Sequence, residues 1–499
     1  MKLNKNVLKF VLSLKIRRLR QKKGFSLKDL SEKSGLSHSY LNEIEKGKKY
    51  PKVEKLLDLA HALDISIDEL VSIKLGRQLH PLLEFLESDL ATSLPLSAFG
   101  IGEQDFYDLM SHSPEKFTSF LMTIAELAKS YDISLDDLNK AALRAYLEVN
   151  SNYFPYLEEL AGSFSRTLKK ELLNLDFSKW GSFLEKKLWD LYKVKVDYET
   201  LGIKEGTFGL RALFKDENKV SGKTLFLNKN LDDKQRVHAL VKELGAQQIL
   251  SDDSLKKRDP LRKEFPDLLL ENQTLYFAGA ALVPEESIVK DLEHIFSKEE
   301  FDQGEFEKIL SKYPAPPEVI MGRLTQVLPH HFGLNQMFFL CCNENVLEVP
   351  GSYYITQELH LGKLHHPHGV SLREHYCRRW ITTELLKKVK TENKQQFIGA
   401  QISQMEEAGN PYFCLSFART RGSDPGVNSC FTLGLAINDN FKEKVGFYSN
   451  KSIESRVVGR TCERCSISDC EERVAPATML QRKRIQEQKK KAINHLIKF

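Results

Sequence analysis

Three cysteines lie within nine residues near the end of the chain, in the segment GRTCERCSISDCEERVAP. Cys462, Cys465 and Cys470 have the spacing C-x2-C-x4-C and stand among charged residues, where hydrophobic packing does not explain them. In a reducing compartment such a group of thiols typically binds a soft metal, because thiolates are the preferred ligands of zinc and of iron–sulfur clusters. The sequence therefore predicts a metal centre here.

Three interpretations of this cysteine group stay open. A structural zinc site needs four ligands, so it would take a fourth from elsewhere. An iron–sulfur cluster would use the three local thiolates and a more distant fourth ligand. The group could also be three free thiols in a loop. Cys377, in HYCRRW, is a possible fourth ligand. The remaining cysteines occur in apolar, strand-like runs and are expected to be buried small hydrophobic residues: Cys341, Cys342, Cys414 and Cys430.

A second motif, from Gly24 to Pro51, has the pattern of two short helices joined by a tight turn. Ser26 and Ser37 are suited to cap the helices, and Gly35 supplies the left-handed residue of the turn. The second helix, predicted from His38 to Lys46, would bury Leu41 and Ile44. Its outward side chains suit base edges in a major groove, and the lysines after it suit phosphates. The candidate DNA-binding residues are Ser37, His38, Ser39, Tyr40, Asn42, Glu43, Lys46, Lys48 and Lys49.

The alternative interpretation of this motif is an ordinary helical hairpin with a basic surface. The charge distribution favours DNA binding, because residues 1–52 contain fifteen Lys and Arg but only four Asp and Glu. The whole chain has a net charge of +5, so the rest of the chain is mildly acidic. A basic head on an acidic body is typical of a protein that binds nucleic acid.

The length of 499 residues indicates several domains. We predict an all-α, five-helix helix-turn-helix domain over 1–73, a helical connecting or dimerising region over 82–170, an α+β region over 171–316, a sensor domain with a mixed sheet over 317–480 and a basic tail over 481–499. Residues 56, 57, 60 and 63, all Leu or Ala, are expected on the buried face of the fourth helix. No apolar run is long enough to span a membrane, and the basic N-terminus is predicted to be a helix rather than a signal peptide. The expected location is the cytoplasm.

The helix-turn-helix segment resembles the XRE/Cro-type family, through the Gly35-Leu36-Ser37 turn, Ile44-Glu45-Lys46-Gly47 and Pro51. This resemblance implies base contacts from His38, Ser39 and Glu43. The predicted strands and the helix VHALVKELGAQQ resemble the ImmA/IrrE metallopeptidase family. In that family the helix carries HExxH, whereas this chain has Lys242-Glu243-Leu244-Gly245-Ala246. Both zinc-binding histidines are replaced, so we expect a peptidase scaffold without catalysis and no catalytic residues.

Together with LPHHFGLNQMFFL, the Cys377–Trp380 motif and the terminal cysteines, these features resemble the short-chain fatty-acyl transcriptional regulator family. The resemblance implies an acyl-CoA or CoA sensor that binds a palindromic operator as a homodimer. It also implies a cysteine-ligated iron–sulfur cluster, with [4Fe–4S] expected and zinc as the alternative.

The candidate effector-binding residues are Arg378, Arg379 and Trp380, together with His330 and His331. The alternative, equally open, is that the arginines are ordinary surface residues and that Trp380 only packs in the core. We expect LHHPHG (364–369) to be a polar loop rather than a metal site. The tail is expected to be a solvated basic helix, with DNA contact as a weaker alternative. Two other functions stay open, namely a metallopeptidase that cleaves a repressor and a phage-type repressor without an effector.

Overall fold

The structure is a computed structural model that describes residues 5–72, 134–201, 209–217, 222–251, 266–345, 352–362, 374–392, 395–405, 411–420 and 426–497, with 119, 120, 123 and 126 as single positions. The chain divides into two compact units. The first comprises Met1–Tyr146 and Ser254–Leu269, and the second comprises Leu147–Asp253 and Leu270–Phe499. The LHHPHG segment, the linker after residue 73 and most of the region between 82 and 133 lie outside the described residues.

The N-terminal part of the first unit is built from five helices. They are α1 (Lys5–Lys22), α2 (Leu27–Ser34), α3 (His38–Glu45), α4 (Val53–Ala62) and α5 (Ile67–Val71). Their apolar faces meet in one core around Ile16, Leu30, Leu41 and Leu59. The prediction that Leu57 lies on the buried face of the fourth helix is wrong, because its side chain is 45% exposed. Leu59, two residues later, is fully buried in its place.

Most of the described residues between 134 and 332 lie in helices. They are α6 (Leu135–Val149), α7 (Pro155–Leu172), α8 (Trp180–Tyr192), α9 (Asp233–Ser251), α10 (Pro266–Leu282), α11 (Glu285–Phe296), α12 (Gln303–Lys312) and α13 (Pro317–Phe332). A small sheet between α8 and α9 has the order β1-β3-β2, with β1 (Val194–Asp197) parallel and β2 (Ala212–Glu217) antiparallel to β3 (Gly222–Leu227). The fully buried Arg323 of α13 forms a two-fold ion pair with Glu158 of α7, at 2.5 and 2.7 Å.

The C-terminal part is a mixed sheet with one helix packed on it. Its described strands are β4 (Met337–Asn345), β5 (Tyr353–Leu361), β6 (Gln396–Met405), β7 (Tyr412–Thr420), β8 (Val427–Ala436) and β9 (Ser455–Val458). The order is β5-β4-β8-β7-β6-β9, with all neighbours antiparallel except β6 and β9. Helix α14 (Ile381–Thr391) covers β6, β7 and β8. Two further helices follow in this part: α15 (Asp439–Lys444) and α16 (Thr478–Ile497).

The coarse prediction of a multidomain chain, with a five-helix domain followed by a helix-rich region and a mixed sheet, is confirmed. Among the described helices, none combines the length and the apolar character that crossing a membrane requires.

Candidate functional site

The helix-turn-helix is held in place by local capping. Ser26 and Asp29 form a capping box on α2, with the Ser26 hydroxyl accepting from the Asp29 amide and the Asp29 carboxylate accepting from the Ser26 amide. Gly35 ends α2 with φ of 70°, a backbone conformation that glycine adopts without strain. Ser37 then caps α3 by accepting from the Tyr40 amide. These contacts fix the angle at which α3 leaves the turn.

The outer surface of α3 presents the polar side chains that the sequence predicts for DNA. His38 and Ser39 are exposed, whereas Glu43 is half-buried and its carboxylate accepts from Lys49 at 2.7 Å. The Lys49 ammonium also lies over the ring of Tyr40, 5.7 Å from the centroid. Ser37, Lys46 and Lys48 are exposed and Asn42 is half-buried. All nine candidates therefore lie on α3 or within a few residues of its ends.

An ion pair that sequence reasoning missed fastens α1 to the end of α3. Arg20 donates from Nε and Nη2 to the two carboxylate oxygens of Glu45, at 2.6 and 2.9 Å. A third donor, Nη1, reaches the carbonyl oxygen of Phe25 at 2.8 Å. The Glu45 side chain is only 7% exposed. Because the two residues are 25 positions apart, no local pattern could have revealed the pair.

The segment of α9 that aligns with HExxH has no zinc-binding geometry. Lys242 is paired with Glu271 of α10, and the Glu243 carboxylate accepts from Gln247 Nε2 at 2.7 Å. His238 is buried in the core, where burial, with help from the nearby Arg211 charge, lowers its pKa to about 3. Burial also raises the pKa of Glu243 to about 7.

We expect Glu243→Gln to stabilise the protein in a pH-dependent manner. The pKa of Glu243 is raised above its ordinary value of 4.5, so the folded state binds an extra proton between about pH 4.5 and 7, and wild-type stability falls as the pH rises through that window. Wild type and variant should be equally stable near pH 4, whereas at pH 8 the variant should gain up to about 3 kcal/mol. Thermal unfolding across this pH range measures the difference. Glu271→Gln, which changes a more exposed carboxylate, should show no such gain, and a less stable Glu243→Gln at pH 8 would contradict the prediction.

The C-terminal cysteine segment is docked against the residues around Cys377. The Cys462 amide donates to the His375 carbonyl at 2.9 Å, and the Cys377 amide donates to the Arg460 carbonyl at 3.1 Å. Arg473 organises the loop from inside, because its guanidinium donates to the carbonyl oxygens of Cys462 and Cys465, at 2.7 and 3.2 Å. The segment therefore folds around its own arginine while two backbone bonds fix it beside Cys377.

This docking brings four thiols to one small cavity. The cavity has a volume of about 10 Å³ and is lined by Cys377, Cys462, Cys465 and Cys470, with Arg473 among the remaining lining residues. Burial raises the pKa of the Cys377 thiol, and the nearby Cys462 and Cys470 raise it further. Within the described parts of the chain, no three His, Cys, Asp or Glu side chains are placed to bind a single metal ion. The four thiols thus share a cavity without the tight arrangement of a mononuclear site.

An apolar cavity of about 30 Å³ lies between α14 and the sheet. Trp380 and Val458 form one wall, and Met405, Tyr412 and Phe338 are among the side chains of the others. The indole Nε1 of Trp380 donates to the Gly459 carbonyl at 2.9 Å in a buried hydrogen bond. Periodicity could not have predicted this cavity, because its wall combines residues from β4, β6, β7, β8, β9 and α14.

The structure separates the predicted effector residues. Trp380 lines the apolar cavity, whereas Arg378 and Arg379 line the cysteine cavity. Arg378 stacks over the ring of Tyr353, 4.3 Å from the centroid. The two candidate histidines lie elsewhere: the His330 ring stacks on Tyr153 at 3.7 Å. His331 Nε2 is 2.6 Å from the Glu285 carboxylate. Both histidines end α13 and belong to neither cavity lining.

The four other cysteines, Cys341, Cys342, Cys414 and Cys430, are buried in β4, β7 and β8, which confirms them as small core residues. Cys342 and Cys430 are directly opposite each other in the sheet, and burial raises the pKa of the Cys414 thiol to about 12. Cys342, Cys414 and Cys430 pack in one hydrophobic cluster with α14, and none of the four cysteines lines the cysteine cavity.

A capped pair of helices with an exposed polar and basic surface defines a DNA-binding protein of the helix-turn-helix class. The family model for a helix-turn-helix matches residues 16–70. The chain is 42% identical to the uncharacterized HTH-type transcriptional regulator y4dJ of Sinorhizobium fredii over 55 residues, which cover 11% of this chain and 71% of y4dJ. It is 29% identical to the HTH-type transcriptional regulator SinR of Bacillus subtilis over 107 residues, 20% of this chain and 91% of SinR. The chain belongs to the HTH-type transcriptional regulators.

The helix-turn-helix model and the first relative account for about a tenth of the chain. A solved Mycobacterium tuberculosis transcriptional regulator aligns with 67% of this chain and 93% of its own, at 18% identity and a TM-score of 0.45. A superposition of that quality does not establish a shared fold.

Proposed function

We propose that this DNA-binding transcriptional regulator senses a short-chain acyl-CoA-type effector and carries a cysteine-ligated iron–sulfur cluster. The observation that carries the proposal is the convergence of Cys377 with the C-terminal cysteines on one cavity. The apolar cavity is lined by residues of the same two backbone segments, 377–382 and 458–473. The regulator acts as a homodimer on a palindromic operator, because a helix-turn-helix protomer reads only one half-site.

The cysteine cavity fits an iron–sulfur centre by its donor set. Four thiolates are the ligands that [4Fe–4S] requires, with Cys377 as the fourth. In a cluster each iron takes one thiolate, so three sulfurs do not need to reach one ion, whereas zinc needs all four donors at about 2.3 Å. Four thiols on one cavity provide the donors for either group, and the resemblance to the short-chain fatty-acyl regulator family is what supports the cluster. When bound, the cluster would supply one-electron redox chemistry, and Arg473 would hold the loop around it.

The apolar cavity fits the acyl end of the effector. The cavity is lined mostly by apolar side chains and has a volume of about 30 Å³, so a short aliphatic chain would enter by displacing a flexible side chain such as Met405. The hydroxyl groups of Thr382 and Thr432 offer partners for a carbonyl. The anionic CoA phosphates would be met by arginines outside this cavity, for which Arg378 and Arg379 are the candidates.

The DNA interface of the proposed regulator is the outer surface of α3. The exposed side chains of His38 and Ser39 can reach base edges. On binding, the Glu43 carboxylate would give up its ion pair with Lys49 and accept a hydrogen bond from a base, such as the amino group of cytosine. Lys46, Lys48 and Lys49 then contact phosphates on either side of the groove.

The effector half of the proposal is tested by filling the apolar cavity. Met405→Trp places an indole where the acyl chain would lie, while Met405→Leu keeps the volume nearly unchanged. The full-length proteins are titrated against a duplex selected from a random-sequence pool, with and without acetyl-CoA, propionyl-CoA or free CoA. We expect an acyl-CoA to change the DNA affinity of wild type and of Met405→Leu by about 5- to 150-fold, and that of Met405→Trp much less. Equal DNA affinity with and without every acyl-CoA would reject the effector.

The two other functions have distinct outcomes. A repressor without an effector would bind DNA with an affinity that no CoA compound changes. A metallopeptidase is disfavoured by α9, where Lys242 is occupied by Glu271 and the position one turn later is Ala246. A zinc-dependent cleavage activity that Glu243→Gln abolishes would restore the peptidase alternative.

A further inference from the structure

The C-terminal helix α16 runs for 20 residues from Thr478 to Ile497 without burying a side chain. From Gln481 to its end every residue is exposed. Isolated helices of this length are marginal in water, and a helix exposed on all sides is normally stabilised by a partner. Within the described residues the protein itself does not supply that partner.

The charge of α16 indicates what kind of partner this helix binds. The helix contains six Lys and Arg and one Glu, and the cations are Arg482, Lys483, Arg484, Lys489, Lys490 and Lys491. These two groups of three are seven residues apart, which is close to two helical turns, so the cations of the second group repeat the directions of the first. The cations therefore cover a wide arc of the helix over a length of about 14 Å.

The apolar side of α16 is too narrow to be its main contact. Ile485, Ala492 and Leu496 follow one another at spacings of seven and four residues and form a stripe, which Ile493 and Ile497 widen only at the end of the helix. A helix that binds a membrane surface presents a broad apolar face with large side chains. A coiled-coil seam needs an apolar residue at every a and d position, and Gln488 occupies the position between Ile485 and Ala492.

The start of α16 is attached to the cysteine segment. The amides of Met479 and Leu480 donate to the Glu463 carbonyl at 3.0 and 3.1 Å. The Glu463 carboxylate in turn contacts His375, 2.7 Å from its Nδ1 and 3.0 Å from its amide. The direction in which the basic helix leaves the sheet unit is thus set by the backbone between Cys462 and Cys465.

We propose that α16 is a second DNA-contacting element, which binds backbone phosphates of double-stranded DNA in addition to the helix-turn-helix. The chain belongs to a class that binds a polyanion, and the excess of five positive charges on α16 is complementary to that partner. Phosphate contacts require cations with long side chains and no base-reading geometry, which is what this helix offers. The contact adds affinity that does not depend on sequence.

The proposal is tested with the full-length chain and a fluorescently labelled duplex of mixed sequence. The variant Arg482→Gln/Lys483→Gln/Arg484→Gln removes three cations, and Gln486→Ala/Gln488→Ala is the matched control on the same helix. Fluorescence anisotropy over a series of salt concentrations gives the slope of log affinity against log salt. We expect the triple variant to lower the magnitude of that slope by about 2 to 3 and to weaken binding at low salt, and the control to change neither.

Three outcomes would overturn the proposal. The salt slope of the triple variant could equal that of wild type. The variant could lose binding to vesicles of phosphatidylserine and phosphatidylcholine while its DNA slope stays unchanged, which would assign the helix to anionic membranes. It could instead change the oligomeric state in light scattering at an unchanged slope, which would assign α16 to contacts between copies. Circular dichroism of the variant checks that the helical content is kept, so that each outcome refers to charge.

Discussion

Replacing Arg20 with Met is expected to destabilise the helix-turn-helix domain by about 3–5 kcal/mol, because it leaves Glu45 buried without its cation. The Glu45 side chain is 7% exposed and accepts two hydrogen bonds from the Arg20 guanidinium. Its carboxylate also ends α3, where the helix dipole disfavours negative charge. Without Arg20, the end of α3 has a charge that neither solvent nor the dipole stabilises.

Hydrogen exchange of the full-length protein measures this effect where it arises. The amides of Leu41 and Ile44 are within α3, and their side chains are fully buried. A loss of about 3 kcal/mol should make their exchange more than a hundredfold faster. DNA binding should weaken as well, since the population with α3 in place decreases.

Two control variants separate the loss of the pair from the loss of charge. Lys22→Met removes a cation from the exposed end of the same helix and should leave the exchange of α3 within about 0.5 kcal/mol of wild type. The double variant Arg20→Met/Glu45→Leu removes both charges and should recover most of the protection, as other buried ion pairs do when both partners become apolar. If Arg20→Met exchanges as slowly as wild type, the pair does not stabilise the domain.

The helix-turn-helix was predictable because its determinants are local. Ser26, Gly35 and Ser37 act through neighbours within three or four residues, so the pattern of caps and turn is visible in the chain itself. The fourth helix shows the limit of this reasoning. Leu57 and Leu59 are both apolar, and only the packing against α1 and α2 decides that Leu59 is buried and Leu57 exposed.

The convergence of the four cysteines on one cavity was only partly predictable, because it too depends on residues far apart in the sequence. The three C-terminal thiols are close in sequence, whereas Cys377 is 85 positions before Cys462 and reaches the cavity only through the backbone bridge between Tyr376 and Thr461. Sequence reasoning could name Cys377 but not place it. The apolar cavity was even harder to predict, because residues from six elements form it and each belongs to an ordinary strand or helix pattern.

The apolar cavity and the cysteine cavity are connected through Trp380 and the backbone segments on either side of them. Trp380 lines the apolar cavity, and its indole is hydrogen-bonded to Gly459, two residues from Thr461 in the cysteine cavity. Three residues before Trp380, Cys377 is in the lining of that second cavity. An acyl chain that moves Trp380 therefore acts on both backbone segments that hold the thiols. By linkage, the state of the proposed centre would alter effector affinity to the same degree.

Replacing Cys377 with Ser is expected to remove the bound centre almost as completely as replacing Cys462, Cys465 and Cys470 together. Four thiolates are needed to saturate a [4Fe–4S] cluster, and Cys377 is the fourth thiol in the cavity. Anaerobically purified wild type should contain about four irons and four sulfides per chain and absorb broadly near 400 nm, and both variants should lose this absorbance. Iron, sulfide and zinc analysis with the visible spectrum measures the result.

Cys341→Ala is the matched control, since it removes a buried thiol of β4 that does not line the cysteine cavity. Its iron content should equal that of wild type. One zinc per chain without colour would instead identify a structural site, and thiolate ligation of zinc would then serve to dock the loop of Arg473. If wild type contains neither iron nor zinc, the four cysteines are free thiols, and the effector signal would depend on the apolar cavity beside Trp380 alone. If Cys377→Ser retained the full cluster while the triple variant lost it, the fourth ligand would lie outside this cavity, and the contact between β9 and the Cys377 segment would be purely structural.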